Sequence, residues 1–294
     1  MKVINLSKKQ FSNLEKINIP EYVSNTEADL YDFKYKRQSK VLKALYTLNG
    51  QDFANKLYTL EMLDYYKDYL PEECIIPDSL VAVNNTITAF TMPKVDGINL
   101  KTILINNYQY TKEEQVYYLQ LIGQLLEKLC NMRKYTRLNN FYINDLHAGN
   151  FVVNPINKTI SSVDLDSSKI ANNDGARYLF NKSLVNSVQG KYNIRETSIG
   201  YGYVEADENS DLYCYNLMIL EYLSGSNIDN MDLSLYYNYI EYLRYIGINE
   251  DLLSSFLQLL SNKDNINPYH LLNTLTDEQL FRAKANVYNK VKRK

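Results

Sequence analysis

The sequence predicts an α+β fold in two lobes, with a strand-rich amino-terminal part to about Met92 and a helical part after it. Three observations carry this expectation. Before Met92 the apolar residues come in short runs broken by polar turns, the pattern of half-buried strands. After about Asn99 they recur every three or four residues, the spacing of a buried helix face. The 294 residues are 45% hydrophobic, enough for a sizeable core.

The elements follow in order. Asp29–Tyr35 and Ser39–Tyr46 read as strands around the polar turn Lys36-Arg37-Gln38. Asn49-Gly50 then breaks the chain, and Phe53, Leu57, Leu60 and Leu63 follow at helical spacing. Leu80–Val83 and Thr86–Met92 flank Asn84-Asn85, a hairpin signal. Thr111-Lys-Glu-Glu114 is a capping box, in which the Thr and Glu side chains satisfy free N–H groups at a helix start. The stripe Val116, Leu119, Ile122, Leu125, Leu126 and Leu129 continues that helix. Asp211–Leu223 is apolar nearly all round and reads as a buried helix stopped by Gly225, and Leu252–Leu260 is a further helix. No internal repeat is visible.

Composition narrows the function. The charged fraction is 22% and the formal net charge is -2, so no bulk basic surface points to nucleic acid. No apolar run approaches the ~18 residues of a membrane span. Met1–Lys9 has no extended apolar stretch of the kind that makes a signal peptide. Cys74, Cys130 and Cys214 are scattered and odd in number, which fits neither a disulfide framework nor a zinc site. The expected compartment is a reducing cytoplasm.

The chemistry concentrates between Tyr142 and Asp166. Asp145 and Asn150 lie in a polar loop after a long helix. Phe151–Val153 and Thr159–Val163 read as two short strands joined by an Asn-Pro turn. A hairpin of that length brings Asn150 and Asp164 together at its open end. An amide oxygen beside a carboxylate is a hard ligand pair suited to Mg²⁺. Asp145 is then a separate carboxylate, free to accept a proton. Phosphoryl transfer needs little else from side chains, because its catalysis is mostly positioning and charge neutralisation. The plainer alternative is that Asp145 and Asn150 only cap turns. Asp166 reads more simply as a solvated carboxylate than as a second metal contact, and His270 as structural or exposed.

These residues carry a family resemblance. Asp145-Leu-His-Ala-Gly-Asn150 followed by Ser162-Val-Asp-Leu-Asp166 resembles the catalytic loop and metal motif of protein-kinase-like phosphotransferases. The loop variant, with His147 in place of the usual Lys, is similar to that of atypical and small-molecule kinases. Val41-Leu42-Lys43 resembles the strand that carries the family's phosphate-binding lysine, although Lys34, Lys36 and Lys40 compete for the role. Glu61, 18 residues on, falls where the family's helix glutamate pairs with that lysine. Thr91–Leu100 resembles the hinge. Ser210–Gly225 is similar to the central helix whose aspartate, here Asp211, anchors the catalytic loop. Leu257–Leu272 resembles the final helices, with Asn267 where an Arg is usual.

The resemblance, covering about residues 20 to 275, implies an N-lobe over 1–92, a hinge over 93–98 and a helical C-lobe over 99–294. It implies ATP and Mg²⁺, or Mn²⁺, as cofactors and a hydroxyl-bearing acceptor, protein or small molecule. Lys43, held by Glu61, would orient the phosphates. Asn150 and Asp164 would hold the metal, and Asp145 would take the acceptor's proton. His147 would bond within the loop or approach a phosphate. Met92, Pro93 and Val95 would border the adenine, with Val41 and Val152 on its two faces. A serine/threonine protein kinase is the first expectation, an aminoglycoside- or choline-kinase-like enzyme the second, and a silent binding module the third. The departures are specific. Ser24-Asn-Thr-Glu-Ala28 replaces the glycine-rich loop, Asn144 replaces the Arg that receives a phosphorylated activation loop, and Asp164-Leu-Asp166 lacks the glycine pivot. The family's A-P-E has only Tyr203-Val-Glu205 as a remnant, and Lys290–Lys294 is read as a frayed basic end.

Overall fold

The strand-rich start and helix-rich remainder are both present, and the chain is a mixed α/β protein. The computed structural model describes residues 1–20, 27–106, 108–172, 178–180, 195–196, 202–204, 206–226, 228, 232–261 and 263–291. Residues 24–26 of the segment expected at the glycine-loop position, Glu205 and residues 292–294 lie outside the described residues.

The first ninety-odd residues give β1 (Lys2–Leu6), α1 (Lys8–Ser12), β2 (Glu15–Lys16), β3 (Ala28–Tyr35), β4 (Gln38–Leu45), α2 (Gly50–Tyr66), β5 (Ser79–Val83) and β6 (Thr86–Pro93). The six strands form one sheet in the order β1-β5-β6-β4-β3-β2. All neighbours are antiparallel except β1 and β5, which run parallel. Two hairpin turns are made by pairs of residues in the left-handed region, Lys36 and Arg37 (φ 47° and 69°) and Asn84 and Asn85 (φ 50° and 65°). That backbone matches the right-handed twist of the flanking strands.

Strand alternation sorts β4 between two small cores. Leu42 and Ala44 pack with Ile4, Phe33, Val81 and Ala89 on one face. Val41 and Leu45 pack with Ala28, Leu60, Leu80, Phe90 and Met92 on the other, which α2 covers. Lys43 shares the parity of Val41 and Leu45, so its side chain leaves the sheet on the α2 face. Lys40 has the opposite parity and is ion-paired with Asp78.

The rest of the chain adds β7 (Ile98–Asn99), α3 (Leu100–Ile105), α4 (Lys112–Tyr135), β8 (Phe151–Asn154), β9 (Thr159–Ser162), β10 (Tyr178–Phe180), β11 (Arg195–Glu196) and β12 (Gly202–Val204). It ends with α5 (Glu208–Ser224), α6 (Leu233–Tyr245), α7 (Glu250–Gln258) and α8 (Asp277–Val291). α4 starts on the expected capping box, with Thr111 accepting from the Glu114 N–H and Glu114 accepting from the Thr111 N–H. α5 is buried along nearly its whole length and ends at Gly225 in the left-handed region (φ 66°). It forms the largest core with α4, α6, α7 and the segment Phe141–Phe151. Two tyrosines within this core have bonded hydroxyls: Tyr215 donates to Leu119 O (2.8 Å) and Tyr236 to Phe256 O (2.7 Å).

β7 pairs with β8 and β8 with β9, so the chain beyond β6 enters directly beside the predicted site hairpin. Gly97 makes that approach possible. A Cβ at Gly97 would lie 2.2 Å from the Val153 carbonyl oxygen, closer than any side chain tolerates. Gly97→Ala is therefore expected to destabilise the protein by more than ~2 kcal/mol, measured as a fall in the midpoint of denaturant unfolding.

Candidate functional site

Asp211 sits in the first turn of α5, 2% exposed. A carboxylate there is costly unless it is bonded. Its two oxygens accept from the backbone N–H groups of Ile143 (3.0 Å) and Asn144 (2.8 Å). Asn144 is left-handed (φ 67°), which turns the chain sharply before Asp145. The same loop is held from its other side by the Asn144 side-chain amide, which donates to Ser167 O (3.1 Å). Paired backbone bonds between Tyr142 and Lys169 close that side. Burial pushes the Asp211 carboxyl up to about 6, against the pull of the two N–H groups.

Asn150 follows at the end of a short 3-10 turn, Ala148–Asn150, and is buried. Its side-chain nitrogen donates to Asp145 O (3.0 Å) and to the Asp145 carboxylate (3.1 Å). These bonds use the nitrogen, so the amide oxygen is the Asn150 atom that could meet a metal. The Val163 N–H donates to Asn150 O (2.9 Å), which places Asn150 at the same hairpin end as Asp164. Asn99, in β7, holds the loop further along by donating to Gly149 O (2.6 Å). His147 is exposed. Its Nδ1 accepts from the Gly149 N–H (3.0 Å), and its Nε2 lies 3.7 Å from Asp145. Partial desolvation by the surrounding loop lowers its pKa below the ordinary imidazole value, although Asp145 pulls the other way.

Asp164 adopts a left-handed backbone (φ 66°, ψ 47°). Its carboxylate is ion-paired with Lys43, 121 residues away in the chain. Lys43 also pairs with Asp166 (2.9 Å). The Asp166 side chain is completely buried, and its second oxygen pairs with Lys56 of α2 (2.8 Å). Lys56 further bonds Ser167 Oγ (3.3 Å) and Glu27 (2.7 Å). Burial opposes the charge on Lys43, but Asp166 and Asp164 outweigh it and hold the ammonium above the usual lysine range. Burial likewise opposes charge on Asp166, and here Lys43 and Lys56 keep the carboxyl well below its ordinary value. Burial pushes Asp164 up, with Lys43 pulling against it. The Asp164 side chain remains 30% exposed, so of the two carboxylates it is the one open to an incoming ion.

The structure thus brings together Lys43 with Asp164, and Asp145 with Asn150. Lys40 goes to the opposite sheet face. Two expectations need correction. Glu61 is exposed, and the carboxylates on Lys43 are Asp164 and Asp166. The buried side of α2 is set by Thr59, Leu60 and Leu63, and Lys56 lies in phase with them. Glu61 falls about 140° round the helix from Lys56. Asp166 is not solvated but is the centre of a two-lysine network, which sequence reasoning missed. Its available signal was Lys56 standing in phase with an apolar stripe, where a lone charge is rarely buried without a partner.

Of the remaining expected residues, Met92 is buried in the core on the α2 face. Val41, Val95 and Val152 are half-buried, and Pro93 is exposed. Val152 pairs with Asn99 across β7 and β8. Among the described residues no cluster of three His, Cys, Asp or Glu side chains forms a metal site. The side chains at this hairpin end that could hold a hard cation are the Asn150 amide oxygen and the Asp164 carboxylate. A groove of about 410 Å³ lined in part by Tyr69, Lys128, Met132 and Tyr135 shares no residue with this network. Among the described residues no helix is long and apolar enough to cross a membrane. No protein-family model and no curated protein matches the sequence.

Two outcomes follow from this geometry. Glu61→Gln should change stability by less than ~0.5 kcal/mol, whereas Leu63→Ala should cost about 3 kcal/mol, both read from denaturant melts. The Asp211 carboxyl is raised in the folded state, so its contribution to stability is full below its unfolded value near 3.8 and is lost as pH rises through about 6. Relative to Asp211→Asn, the unaltered protein should lose on the order of 3 kcal/mol between pH 4 and pH 7. Paired melts across that range check this.

Proposed function

We propose that this chain is an ATP- and Mg²⁺-dependent phosphotransferase of protein-kinase-like, two-lobed build, with residues 1–92 as N-lobe, 93–98 as hinge and 99–294 as C-lobe. The observation that supports this reading most is the meeting of Lys43, from the inner face of β4, with Asp164, at the end of the hairpin that also carries Asn150. A buried lysine from one sheet and a partly open carboxylate from a distant loop form the pair that a nucleotide's phosphates and their metal require.

In this reading the residues divide the work. Lys43 faces the α- and β-phosphates. Asn150 Oδ1 and the Asp164 carboxylate hold Mg²⁺, or Mn²⁺, which when bound neutralises the charge of the phosphate oxygens. Asp145, fixed through the Asn150 nitrogen, aligns the acceptor hydroxyl and receives its proton. The acceptor oxygen forms a bond to the γ-phosphorus, the bond from that phosphorus to the β–γ bridging oxygen breaks, and ADP leaves. His147 keeps the loop shape through its bond to Gly149. Backbone near Pro93 and Val95 borders the adenine, beside Met92, with Val41 and Val152 against its faces.

The anchoring of Ile143 and Asn144 by Asp211 supports a serine/threonine protein kinase as the first reading. The Asp145-Leu-His-Ala-Gly-Asn150 loop supports a small-molecule kinase as the second. Incubation with γ-labelled ATP and Mg²⁺ separates them: label on protein supports the first, and label only on hydroxylated metabolites supports the second. A chain with no ATP-dependent thermal shift and no transfer is a silent module. In an active protein, Asp145→Asn should lower turnover by about 10²- to 10⁴-fold with little change in melting temperature. An Asp164→Asn protein that stays active overturns the metal assignment.

A further inference from the structure

Lys43 is buried at 2% exposure, and it has two carboxylate partners of different kinds. Asp164 is partly open and is the proposed metal ligand. Asp166 is closed off, and its oxygens are divided: one faces Lys43 (2.9 Å) and the other faces Lys56 (2.8 Å). Lys56 carries this link into α2, and through Glu27 to the residue just before β3. A single ammonium therefore ties α2 and the segment before β3 to the carboxylate that holds Lys43.

We propose that Asp166 is the positioning residue for Lys43, and that Lys56 is the cation through which α2 keeps Asp166 in place. The proposal deepens the nucleotide-site reading and rests on it. When Asp164 is engaged by a cation, Lys43 still has Asp166 and so stays where it can meet phosphate oxygens. Lys56 reserves the other Asp166 oxygen. Without it, that carboxylate turns both oxygens toward Lys43 and draws the ammonium away from the nucleotide. The helix thus contributes a positive charge to the link, and the segment after β9 contributes the negative one.

The test is calorimetric titration of the full chain with MgATP, well below each variant's melting temperature. Asp166→Asn and Lys56→Met should each weaken binding about tenfold or more, and Lys56→Arg should restore it to within about threefold of the unaltered protein. A double cycle of Asp166→Asn with Lys56→Met should be clearly less than additive in binding. Asp166→Asn or Lys56→Met protein that is folded and binds MgATP like the unaltered chain overturns the proposal, because a link with only a structural role moves melting temperature and not affinity. If Asp166→Asn does not fold, the Lys56→Met and Lys56→Arg pair decides by the same criterion. An unaltered chain that binds no MgATP refutes the nucleotide-site reading, and this proposal with it. Binding by the unaltered chain with insensitive variants refutes this proposal alone.

Discussion

Two lysine ammonium groups drawn out of water need carboxylates that come with them, and the organisation of this protein turns on how that is met. Removing one partner of a buried ion pair leaves an uncompensated charge, which is far more costly than the pair itself is stabilising. Lys43 leaves the sheet between apolar neighbours, with Phe90 below its ammonium at 5.7 Å. Lys56 leaves α2 beside the buried Thr59 and Leu60. Asp164 and Asp166 compensate Lys43, and Asp166 and Glu27 compensate Lys56. The chain after β9 is therefore fastened to both the sheet and its covering helix by electrostatics, where apolar packing alone would allow sliding.

A second carboxylate, Asp211, does for the backbone what Asp166 does for the side chains. It supplies acceptors to two consecutive N–H groups in a loop that cannot form its own ladder. The two anchors are joined within a few residues, since Asn144 donates to Ser167 O and Ser168 Oγ donates to Ile143 O (3.3 Å). Asp145 and Asn150 are consequently presented by a loop with fixed ends. Preorganisation of this kind is what positioning chemistry requires, because small misplacements of reacting groups are costly in rate.

Much of this was legible in the sequence. The hairpin at Asn84-Asn85, the capping box at Thr111, the stop at Gly225 and the closeness of Asn150 to the end of the site hairpin all follow from local rules of turn chemistry and side-chain period. β1 was not legible, because it buries only Ile4 and shows no alternation until β5 lies beside it, whereas α1 did carry a local signal that was passed over, the capping box of Ser7 and Gln10. Glu61 misled because an interval along the chain fixes a distance and not an angle round a helix. Asp166 misled because its partners lie 123 and 110 residues away, beyond the reach of any local pattern. The second lysine was hidden in the same way, although its phase with Leu60 and Leu63 marked it as anomalous.

The parallel pairing of β1 on β5 has a practical consequence. Leu80, Val81 and Ala82 are all buried, so β5 is apolar on both faces and would make a sticky rim if left bare. An unprotected strand of that kind recruits other chains and promotes aggregation. Residues 2–6 act as a guard rail along it. Changes that pull this short segment loose would replace a mostly solvent-exposed edge strand with the apolar β5 and so favour self-association.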